Sequence, residues 1–482
     1  MKLLSQILSS TAVISFSATE DRTITALTYD SRTVSAGSCF FAVRGTQSDG
    51  HDYIDRAVEA GAVAVVCERL PEQQSEGVSY VVVEDSSAAM ADMAAAYYDH
   101  PSHELHLVGV TGTNGKTTIA TLLYDLYRRM GYRAGLISTV VYRIDNREIA
   151  STHTTPDAIR LNAMLREMVD CGCDYCFMEV SSHSVVQDRI RGLHFVGGIF
   201  TNLTHDHLDY HGTFAEYIKA KRLFFDGLSK QAFALTNIDD RNGEVMVQNA
   251  VARVSRYSLR SMADFRCKVL EMLFDGMLLD VCDREVWVQL LGRFNAYNLL
   301  AVYGTATLLG KSGDEVLQAM SALRKVNGRF EPLRSASGIT AIVDYAHTPD
   351  ALENVIATIN DIRREGQKLY VVCGCGGDRD AAKRPEMGRI ASREADVAIF
   401  TSDNPRTEDP EKILDQMEQG KVAGSRTLRI SDREQAINTA VMMAQAGDII
   451  LVAGKGHETY QIIGTEKRHF DDREVLQAAF GN

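Results

Sequence analysis

Hydrophobic residues recur along the chain in two alternating patterns: short apolar runs typical of buried strands, and longer stretches with helical spacing. Before His100 the apolar runs lie at 25–29, 38–43, 62–66 and 80–83. Helical spacing separates them at 53–60 and follows them from Ser87 to Tyr98. Strands that alternate with helices predict a small α/β domain, which we place at residues 1–101.

The alternation becomes more regular after Leu107. Helical segments separate the apolar runs at 107–110, 135–138, 176–180, 198–201 and 233–236, and this pattern predicts a parallel, doubly wound sheet. Short strands with turn residues at 240–290 indicate a β-rich insertion, and a long helical pattern begins at Gly292. A boundary at Pro332 would end a central domain of residues 102–331.

Four further apolar runs lie at 341–344, 369–373, 397–401 and 449–453, and a polar loop follows each one. They predict a third α/β domain over residues 332–482. Parallel sheets bind their ligands at the carboxyl ends of the strands. We therefore expect two ligand-binding edges, one in the central domain and one in the C-terminal domain.

The composition fits a soluble multidomain protein. The chain has 482 residues, of which 45% are apolar and 24% charged, enough for three packed cores. A formal net charge of −13 disfavours nucleic acids and anionic membranes as partners, and no apolar run is long enough to cross a bilayer. The start, Met1–Leu4, weakly resembles a secretion signal, but Ser5 and Ser9 interrupt it. We expect an amphipathic first helix and a cytoplasmic location.

The nine cysteines are odd in number and lie mostly in apolar segments, which is typical of reduced thiols. Cys171, Cys173 and Cys176 have a spacing that resembles a metal cluster. Because no fourth ligand is suggested nearby, buried structural cysteines are the favoured interpretation.

The strongest motif is the stretch 111–118, Thr-Gly-Thr-Asn-Gly-Lys-Thr-Thr, between the apolar run at 107–110 and a helical pattern. A glycine-rich turn at a helix N-terminus presents backbone N–H groups and a lysine to phosphates, and leaves a hydroxyl for Mg²⁺. The spacing is a shortened variant of the usual phosphate loop, and the alternative is a tight turn with an incidental lysine. We predict an ATP or GTP site formed by Gly112, Thr113, Asn114, Gly115, Lys116, Thr117 and Thr118.

Candidate metal ligands follow two neighbouring strands. Glu179 ends one apolar run, and the run that ends at Thr201 is followed by His205, Asp206, His207, Asp209 and His211. Such a cluster resembles a zinc site, but a chain with a phosphate loop more often needs Mg²⁺. We favour Mg²⁺.

Several long motifs, in order, resemble those of the Mur ligases, the ATP-dependent amino-acid-adding enzymes of peptidoglycan synthesis. Besides the phosphate loop they comprise 179–183 (Glu-Val-Ser-Ser-His), 201–209, 292–298 (Gly-Arg-Phe-Asn-Ala-Tyr-Asn), 344–349 (Asp-Tyr-Ala-His-Thr-Pro), 378–380 and 383–385. The resemblance covers essentially the whole chain. It implies an N-terminal UDP-binding domain, a central ATPase domain and a C-terminal Rossmann-like domain that takes the amino acid. Within the family, the chain is most similar to members that add meso-diaminopimelate to UDP-MurNAc-L-Ala-D-Glu.

The reaction that the resemblance implies begins when ATP phosphorylates the D-glutamyl carboxylate. An amine then attacks the acyl phosphate, and the tetrahedral intermediate collapses to an amide and phosphate. Lys116, Mg²⁺ bound by Thr117, and Glu179 suit this chemistry, because phosphoryl transfer between anions needs charge neutralisation and positioning. His207 would hold a second Mg²⁺. By similarity Lys221 should be N-carbamylated and face the metal, with Lys219 as the rival position.

The resemblance also assigns substrate contacts. Asn298, Arg329 and Asp344 match positions that contact adenine, phosphate and ribose, with His347 nearby. Residues at the uridine end of the nucleotide-sugar substrate are Ser31, Thr46, Gln47 and Ser48; those around the muramoyl-dipeptide are Thr154, Thr155, Ser181, Gln187 and Arg189. Hydroxyls and an arginine match a substrate with pyrophosphate, sugar and carboxylates. One departure is Ser184-Val185, where relatives often carry glycine first.

Amino-acid specificity is expected to depend on Asp403, Asn404, Pro405 and Arg406. An arginine can bind the distal carboxylate of meso-diaminopimelate through two hydrogen bonds, whereas lysine lacks that carboxylate. The alternative is that Arg406 is a solvated turn residue. Arg379, Gly454 and Glu458 match the remaining amino-acid contacts, with Glu458 suited to the distal ammonium.

Three alternatives remain: a lysine-adding Mur ligase, a folylpolyglutamate synthetase, and a nucleotide switch that ligates nothing. Folate enzymes should lack the first domain and the 403–406 string. A switch would not need the second ligand-binding edge at 340–460. We expect a monomer whose domains move to admit three substrates.

Overall fold

The chain folds around three main β-sheets, each with its own covering helices. The structure is a computed structural model that describes residues 1–17, 20–45, 48–204, 208–324, 326 and 328–481. Among these residues, no helix has the length and apolar character needed to cross a membrane.

The N-terminal sheet has five strands in the order β2-β7-β6-β5-β4. Strands β4 to β7 are parallel, and β2 pairs with β7 in the antiparallel direction. The elements are β1 (Lys2–Leu3), α1 (Leu4–Ile7), β2 (Val13–Ser17), β3 (Thr23–Ile24), β4 (Ala26–Thr28), β5 (Ser38–Phe41), α2 (Ile54–Glu59), β6 (Ala62–Cys67), β7 (Ser79–Val83) and α3 (Ser86–Tyr97).

Two features of this domain differ from the sequence pattern. The predicted amphipathic first helix is one turn long, although Leu4 and Ile7 are buried as an amphipathic helix requires. Strand β2 was not predicted, because all five of its residues are exposed and it lacks the alternation of a half-buried strand.

The central sheet has eleven strands in the order β11-β10-β9-β12-β8-β13-β14-β15-β16-β17-β18. Its strands are β8 (His106–Thr111), β9 (Ala134–Ile137), β10 (Val141–Ile144), β11 (Arg147–Ala150), β12 (Tyr175–Glu179), β13 (Gly197–Phe200), β14 (Phe233–Asn237), β15 (Arg253–Ser258), β16 (Phe265–Leu273), β17 (Gly276–Val281) and β18 (Glu285–Val288). Its helices are α4 (Lys116–Arg129), α5 (Ala158–Asp170), α6 (Ser182–Val186), α7 (Leu208–His211), α8 (Phe214–Asp226), α9 (Gly243–Val247), α10 (Arg293–Leu308) and α11 (Gly313–Ser321).

The middle of this sheet is parallel and covered on both faces, as predicted. Helices α4 and α10 pack in one hydrophobic core, and α5 and α8 pack in another. The two ends of the sheet are antiparallel: β10 and β11 form a hairpin at one end, and β16 to β18 extend the other. The β-rich segment at 240–290 is therefore part of the central sheet.

The C-terminal sheet has six strands in the order β19-β20-β24-β21-β22-β23 and is parallel except for β19. The elements of this domain are β19 (Glu331–Arg334), β20 (Thr340–Asp344), α12 (Pro349–Ile362), β21 (Leu369–Cys373), α13 (Lys383–Glu394), β22 (Val397–Phe400), α14 (Pro410–Gln419), β23 (Thr427–Arg429), α15 (Arg433–Met443), β24 (Ile449–Ala453), β25 (Tyr460–Ile463), β26 (Glu466–His469) and α16 (Asp472–Ala479). Strands β25 and β26 form a separate two-stranded sheet. Pro332 lies inside β19, at the sheet edge, where a missing N–H is tolerated. The three-domain α/β fold is confirmed, while the residue boundaries between the domains stay predictions.

Candidate active site

The phosphate loop joins β8 to α4, and two of its glycines have no room for a side chain. Gly112 has φ +145°, and a Cβ there would lie 1.9 Å from the Thr201 hydroxyl oxygen. Gly115 has φ +90°, and its Cβ would lie 2.6 Å from Oδ1 of Asn298. Both the left-handed backbone and the close approach require glycine. Helix α4 then begins at Lys116, so the predicted strand, turn and helix are all present.

The end of β13 supports the loop through Thr201 and Asn202. The Thr113 N–H donates to the Asn202 carbonyl (2.8 Å) and the Asn114 N–H to Asn202 Oδ1 (2.9 Å). The Thr201 hydroxyl donates to the Asn114 carbonyl (2.6 Å). The Lys116 ammonium donates to the carbonyls of Gly112 (2.9 Å) and Thr113 (2.8 Å). The lysine is thus positioned over the loop that would hold phosphate.

Glu179 and Thr117 are buried oxygen donors at the carboxyl edge of neighbouring strands. Glu179 ends β12 and accepts the Thr139 N–H at 2.7 Å. The Thr117 hydroxyl, in the first turn of α4, accepts the Arg329 guanidinium at 3.4 Å. Mg²⁺ usually binds one or two protein oxygens, and phosphate and water complete its coordination. The oxygens of Thr117 and Glu179 therefore fit Mg²⁺.

A cluster rich enough in carboxylate, imidazole and thiol for zinc is absent from the described residues: no group of three or more such side chains could hold a metal there. His207 lies outside the described residues. Of the three spaced cysteines, Cys173 and Cys176 are buried, and all nine cysteines are free.

Lys221 and Lys219 differ sharply in environment. Lys221 is 1% exposed and its ammonium donates to the Gly112 carbonyl at 2.7 Å, beside Lys116. The Lys219 side chain is 58% exposed and lies 3.6 Å from Glu216 on the outer face of α8. Only Lys221 of these two faces the phosphate loop.

A cavity of 340 Å³ lies between the central and C-terminal domains. The predicted nucleotide residues Asn298, Arg329, Asp344 and His347 all line it, together with Asn114, Gly115 and Thr118 of the phosphate loop. The sequence therefore predicted residues that the tertiary structure brings together from two domains.

Several other residues of this cavity were not predicted, among them Asp239 and Tyr297. Asp239 accepts hydrogen bonds from the hydroxyls of Tyr297 (2.8 Å) and Ser258 (2.7 Å). No sequence motif marks Asp239, because its partners come from β15 and α10.

Arg329 and Asp344 join the two domains inside the cavity. Burial raises the pKa of the Asp344 carboxyl, and Arg329 together with the N–H groups of Phe330 and Ala346 opposes that rise. The Arg329 guanidinium lies 4.5 Å from the centre of the Tyr345 ring, and its buried Nε has no partner within the described residues. This arginine is a buried donor available to an anionic ligand.

Asp350, on the first turn of α12, also contacts the phosphate loop. Its Oδ2 accepts the Asn114 side-chain amide at 2.9 Å. Burial raises the pKa of Asp350, and the hydrogen bond from Asn114 opposes that rise. The tip of the phosphate loop is thus linked directly to the C-terminal domain.

The predicted muramoyl-dipeptide residues form one cluster. The Arg189 guanidinium donates to Gln187 Oε1 (2.6 Å) and to the Thr155 carbonyl (2.7 Å). The Thr155 hydroxyl donates to the Glu179 carbonyl (2.8 Å) and accepts the Ser181 N–H (3.3 Å). Thr154, which accepts from Thr139 at 3.0 Å, completes the set beside Glu179.

Of the predicted uridine-end residues, Ser31 and Ser48 lie in loops of the N-terminal domain, and Thr46 and Gln47 lie outside the described residues. Tyr29, two positions before Ser31, is close to the cluster around Arg189. Burial and the charge of Asp157 raise the Tyr29 pKa, and Arg189 opposes that rise. The loop that holds Ser31 therefore borders the muramoyl-dipeptide cluster.

A second set of polar groups lies at the ends of β22 and β24. Asp403 is 9% exposed; its Oδ1 accepts the Asn404 N–H at 2.7 Å, and its buried Oδ2 has no partner within the described residues. Gly454 follows β24, and a Cβ there would lie 2.6 Å from that free oxygen. The Asn404 amide donates to Glu458 Oε2 at 2.8 Å. These groups form a compact cluster with two carboxylates at the predicted amino-acid edge, which we call the acidic pocket.

Arg406 has a positive φ of 50°, and its guanidinium donates to the Gly377 carbonyl at 2.7 Å. A Cβ on Gly377 would lie 1.9 Å from the carbonyl of Pro405, so the two loops pack tightly. Glu408, the nearby carboxylate, accepts instead from the buried Arg384 at 2.8 Å. Arg406 is half-buried and forms no ion pair with a carboxylate of the described residues, whereas Arg379 is exposed on the neighbouring loop.

Aromatic and charged contacts connect this pocket to the phosphate loop. Arg329 reaches Thr117 and packs on Tyr345, whose ring centre lies 5.0 Å from that of His457. Glu458 follows His457 in the chain. A chain of side-chain contacts thus links the phosphate loop to the loop that follows β24, through Arg329 and Tyr345.

Comparison with known proteins places the chain in a family. It matches the Mur ligase middle domain at residues 110–306, the Mur ligase glutamate ligase domain at 328–456 and the Mur ligase family catalytic domain at 23–98. It is 58% identical to the UDP-N-acetylmuramoyl-L-alanyl-D-glutamate–2,6-diaminopimelate ligase of Phocaeicola vulgatus over 95% of each chain. Identity to the enzyme of that name from Bacteroides fragilis is 54% over 99% of each chain. A solved structure of a ligase of that name superposes with a TM-score of 0.68 at 33% identity, covering 95% of each chain. The chain belongs to the Mur ligase family.

Proposed function

We propose that this chain is an ATP-dependent ligase that adds meso-2,6-diaminopimelate to the D-glutamyl carboxylate of UDP-MurNAc-L-Ala-D-Glu. One observation carries the proposal: contacts of Arg329, Tyr345 and His457 link the phosphate loop to the loop that follows β24, where Glu458 lies. The relatives with 54% and 58% identity carry the name of this activity.

In the first step a D-glutamyl carboxylate oxygen attacks the γ-phosphorus of ATP, and ADP leaves. The Lys116 ammonium and the loop N–H groups hold the phosphates and offset their charge. Arg329, with its free Nε, binds the anion from the opposite wall of the cavity. Mg²⁺, which we propose is held by Thr117 and Glu179 with His207 and Lys221 around a second ion, neutralises phosphate charge when bound.

In the second step an amine of the incoming amino acid attacks the acyl phosphate. The C–N bond forms, the tetrahedral intermediate loses phosphate, and the amine proton passes to solvent or phosphate. The C-terminal pocket contributes by holding the amino acid so that its amine faces the activated carboxyl. Burial of the cleft limits hydrolysis of the acyl phosphate by water.

We propose that Lys221 carries a carbamate, formed when its amine adds CO₂ and releases a proton. The modification exchanges a buried positive charge for a negative one. Its support is that two lysines, Lys116 and Lys221, share the Gly112 carbonyl, so one of the two like charges would be removed. Incorporation of ¹³C from labelled bicarbonate, detected as a carbamate carbon in wild type but not in Lys221→Ala, checks this assignment.

Amino-acid competition tests the function. With ATP, Mg²⁺ and UDP-MurNAc-L-Ala-D-Glu, we expect consumption of meso-diaminopimelate to be much faster than that of L-lysine. Equal rates would contradict the specificity and favour a lysine-adding ligase. ATP hydrolysis without amide formation would favour a nucleotide switch, and use of a folate substrate would favour a folylpolyglutamate synthetase.

Substitution of Arg406 locates the specificity. Arg406→Ala should raise the KM for diaminopimelate by a factor on the order of 10–100, because a charge-assisted contact to its distal carboxylate is lost. The matched control is Arg393→Ala, on α13, whose guanidinium pairs with Glu394 and Glu353 outside the cleft. An unchanged KM in Arg406→Ala would place this arginine outside the pocket. Cytoplasmic location and a monomeric state stay predictions from the sequence.

A further inference from the structure

Lys455 is a buried charge that neither the sequence motifs nor the mechanism uses. It follows β24 by two positions and has 0% exposure. Its ammonium lies 3.2 Å from Asn404 Oδ1 and 3.2 Å from Glu458 Oε2, and 5.5 Å from the centre of the Tyr460 ring. A fully buried ammonium is costly unless it is paired and hydrogen-bonded, so its position needs an explanation.

The contacts of Lys455 fix the orientation of Asn404. Oδ1 of this side chain accepts from Lys455 and from the Ile462 N–H (2.9 Å), so the amide nitrogen must point the other way. That nitrogen donates to Glu458 Oε2 at 2.8 Å. Lys455, Asn404 and Glu458 therefore form a closed hydrogen-bonded triangle at the floor of the acidic pocket.

Two carboxylates of this pocket lie near buried cations: the charge of Arg433 acts on Asp403, and Lys455 contacts Glu458. Asp403 Oδ2 is buried without a partner in the described part of the chain, and Glu458 is the second carboxylate. The ionisable groups that face Glu458 are Asp403 on the loop after β22, Lys455 on its own loop, Tyr345 after β20 and Tyr460 on β25. Lys455 is the one cation among them.

Burial and the charge of Asp403 raise the pKa of Glu458, whereas Lys455 and the hydrogen bond from Asn404 lower it. A protonated Glu458 could not accept a cationic ligand as an ion pair. The buried ammonium thus opposes the two effects that would neutralise the carboxylate.

We propose that Lys455 is a positioning residue of the amino-acid pocket: it holds Asn404 in one orientation and pairs with Glu458, so that Asp403 and Glu458 together receive an ammonium group of the incoming amino acid. This inference rests on the proposed function, since it concerns the substrate of that same reaction. Lys455 acts through its two neighbours and does not itself contact the amino acid.

The test compares Lys455→Met, which keeps the length of the side chain but removes its charge, with Lys455→Arg, which keeps the charge. The matched control is Lys467→Met, because Lys467 also lies over the Tyr460 ring (3.7 Å) but belongs to β26 and is exposed. Steady-state kinetics for ATP and for diaminopimelate are measured from pH 6 to pH 9.

In Lys455→Met we expect the KM for diaminopimelate to rise on the order of 10-fold or more and the KM for ATP to change less than about twofold, since only one pocket loses a charge. The acidic limb of kcat/KM for diaminopimelate should move to higher pH, because Glu458 becomes harder to ionise without the neighbouring ammonium. Lys455→Arg should show much smaller changes in the KM for diaminopimelate and in the pH profile than Lys455→Met does. Lys467→Met should match wild type.

A Lys455→Met enzyme with a wild-type pH profile and wild-type KM for diaminopimelate would overturn the proposal. An equal rise in the KM values for ATP and for diaminopimelate would also overturn it, because such a rise indicates a structural role. If Lys455→Met does not fold, the pH profiles of Lys455→Arg and Lys455→Gln decide between the same outcomes. Wild type is assayed first with diaminopimelate and with lysine. If wild type ligates neither amino acid, the proposed function itself is overturned. If it ligates one of them, the pH profiles are measured with that amino acid.

Discussion

The two ligand-binding edges of this protein have the same architecture but different chemistry. Both lie at the carboxyl ends of parallel strands, and contacts of Arg329, Tyr345 and His457 link them. The phosphate edge is one continuous stretch at 111–118, with backbone N–H groups, two glycines and Lys116. The amino-acid edge is assembled from three loops that follow β21, β22 and β24, and it places Asp403, Glu458 and Lys455 in a buried environment.

The difference follows from the ligands that we assign to each edge. A triphosphate presents many equivalent oxygens of one charge, so a single loop with a helix N-terminus can hold it. A zwitterionic amino acid requires opposite charges at fixed separation, and here Asp403 and Arg406 come from one loop while Glu458 comes from another. Burying those charges then requires compensating groups, and Arg433 and Lys455 lie beneath the amino-acid edge for that reason.

The largest expected effect is on the stability of the strands beneath the amino-acid edge, compared with those beneath the phosphate edge. Arg433 and Asp472 form a bidentate ion pair at 2.8 Å with 0% exposure of either side chain, and Arg433 also donates to the Ala453 carbonyl at the end of β24. Arg433→Met leaves Asp472 charged and buried, so we expect a loss of about 3–5 kcal/mol in local stability. Native-state hydrogen exchange of the β24 amides measures it.

Arg429→Met is the control for that substitution. Arg429 pairs with Glu411, Asp415 and Glu418 near the surface, so its removal should cost less than about 1 kcal/mol. Protection of the β8 amides in the central sheet should not change in either variant. Equal losses in both variants would show that burial does not distinguish the two ion pairs.

The next largest effect concerns the phosphate edge alone. In Gly112→Ala the new Cβ would collide with the Thr201 hydroxyl and the left-handed backbone would be strained. We expect kcat/KM for ATP to fall on the order of 100-fold. Gly131 also has a positive φ (+88°) but nothing within 4 Å of its Cβ position, so Gly131→Ala should leave ATP kinetics unchanged. Wild-type ATP kinetics in Gly112→Ala would show that the loop adopts another conformation when nucleotide binds.

A smaller effect is expected from the corresponding substitution at the amino-acid edge. In Gly454→Ala the Cβ would lie 2.6 Å from Asp403 Oδ2. Because the Asp403 side chain can move away, this clash should cost less than the one in Gly112→Ala. The KM for diaminopimelate should rise about 10-fold while the KM for ATP is unchanged. Gly424→Ala, with φ +82° and open space, is the control. If Gly454→Ala and Gly112→Ala altered both KM values alike, the two edges would not be separable.

The smallest effect is a pH dependence of stability at the amino-acid edge. Burial, followed by Arg329 and Arg473, lowers the pKa of His457 to about 4 from 6.5. A lowered pKa means that the neutral form is favoured on folding, so this contribution is complete above pH 6.5 and decreases as pH falls towards 4. Between pH 7 and pH 5.5, the free energy of unfolding of wild type should fall by about 1 kcal/mol more than that of His457→Gln. Denaturant titrations at the two pH values measure the difference, and equal losses would contradict it.

Much of the fold could be predicted because its signals are local. The apolar runs at 341–344, 369–373 and 449–453 coincide with β20, β21 and β24 to within one residue. Strand β2 and the hairpin β10–β11 were missed because β2 and β11 have mostly exposed residues, and pairing partners decide the conformation of these strands. In the candidate site, Asn298, Arg329 and Asp344 were predicted from motifs, whereas Asp239, Asp350 and Lys455 were not.

The sequence by itself determined the phosphate loop, the order of strands and helices, and the residues available at each strand end, because these depend on neighbours in the chain. Tertiary structure alone decided that Asp350 contacts Asn114, that Lys221 and not Lys219 faces the phosphate loop, and that Lys455 lies between Asn404 and Glu458. Each of these contacts joins residues from separate elements. Their energies depend on burial and on distances between charges, and neither quantity exists until the sheets have packed.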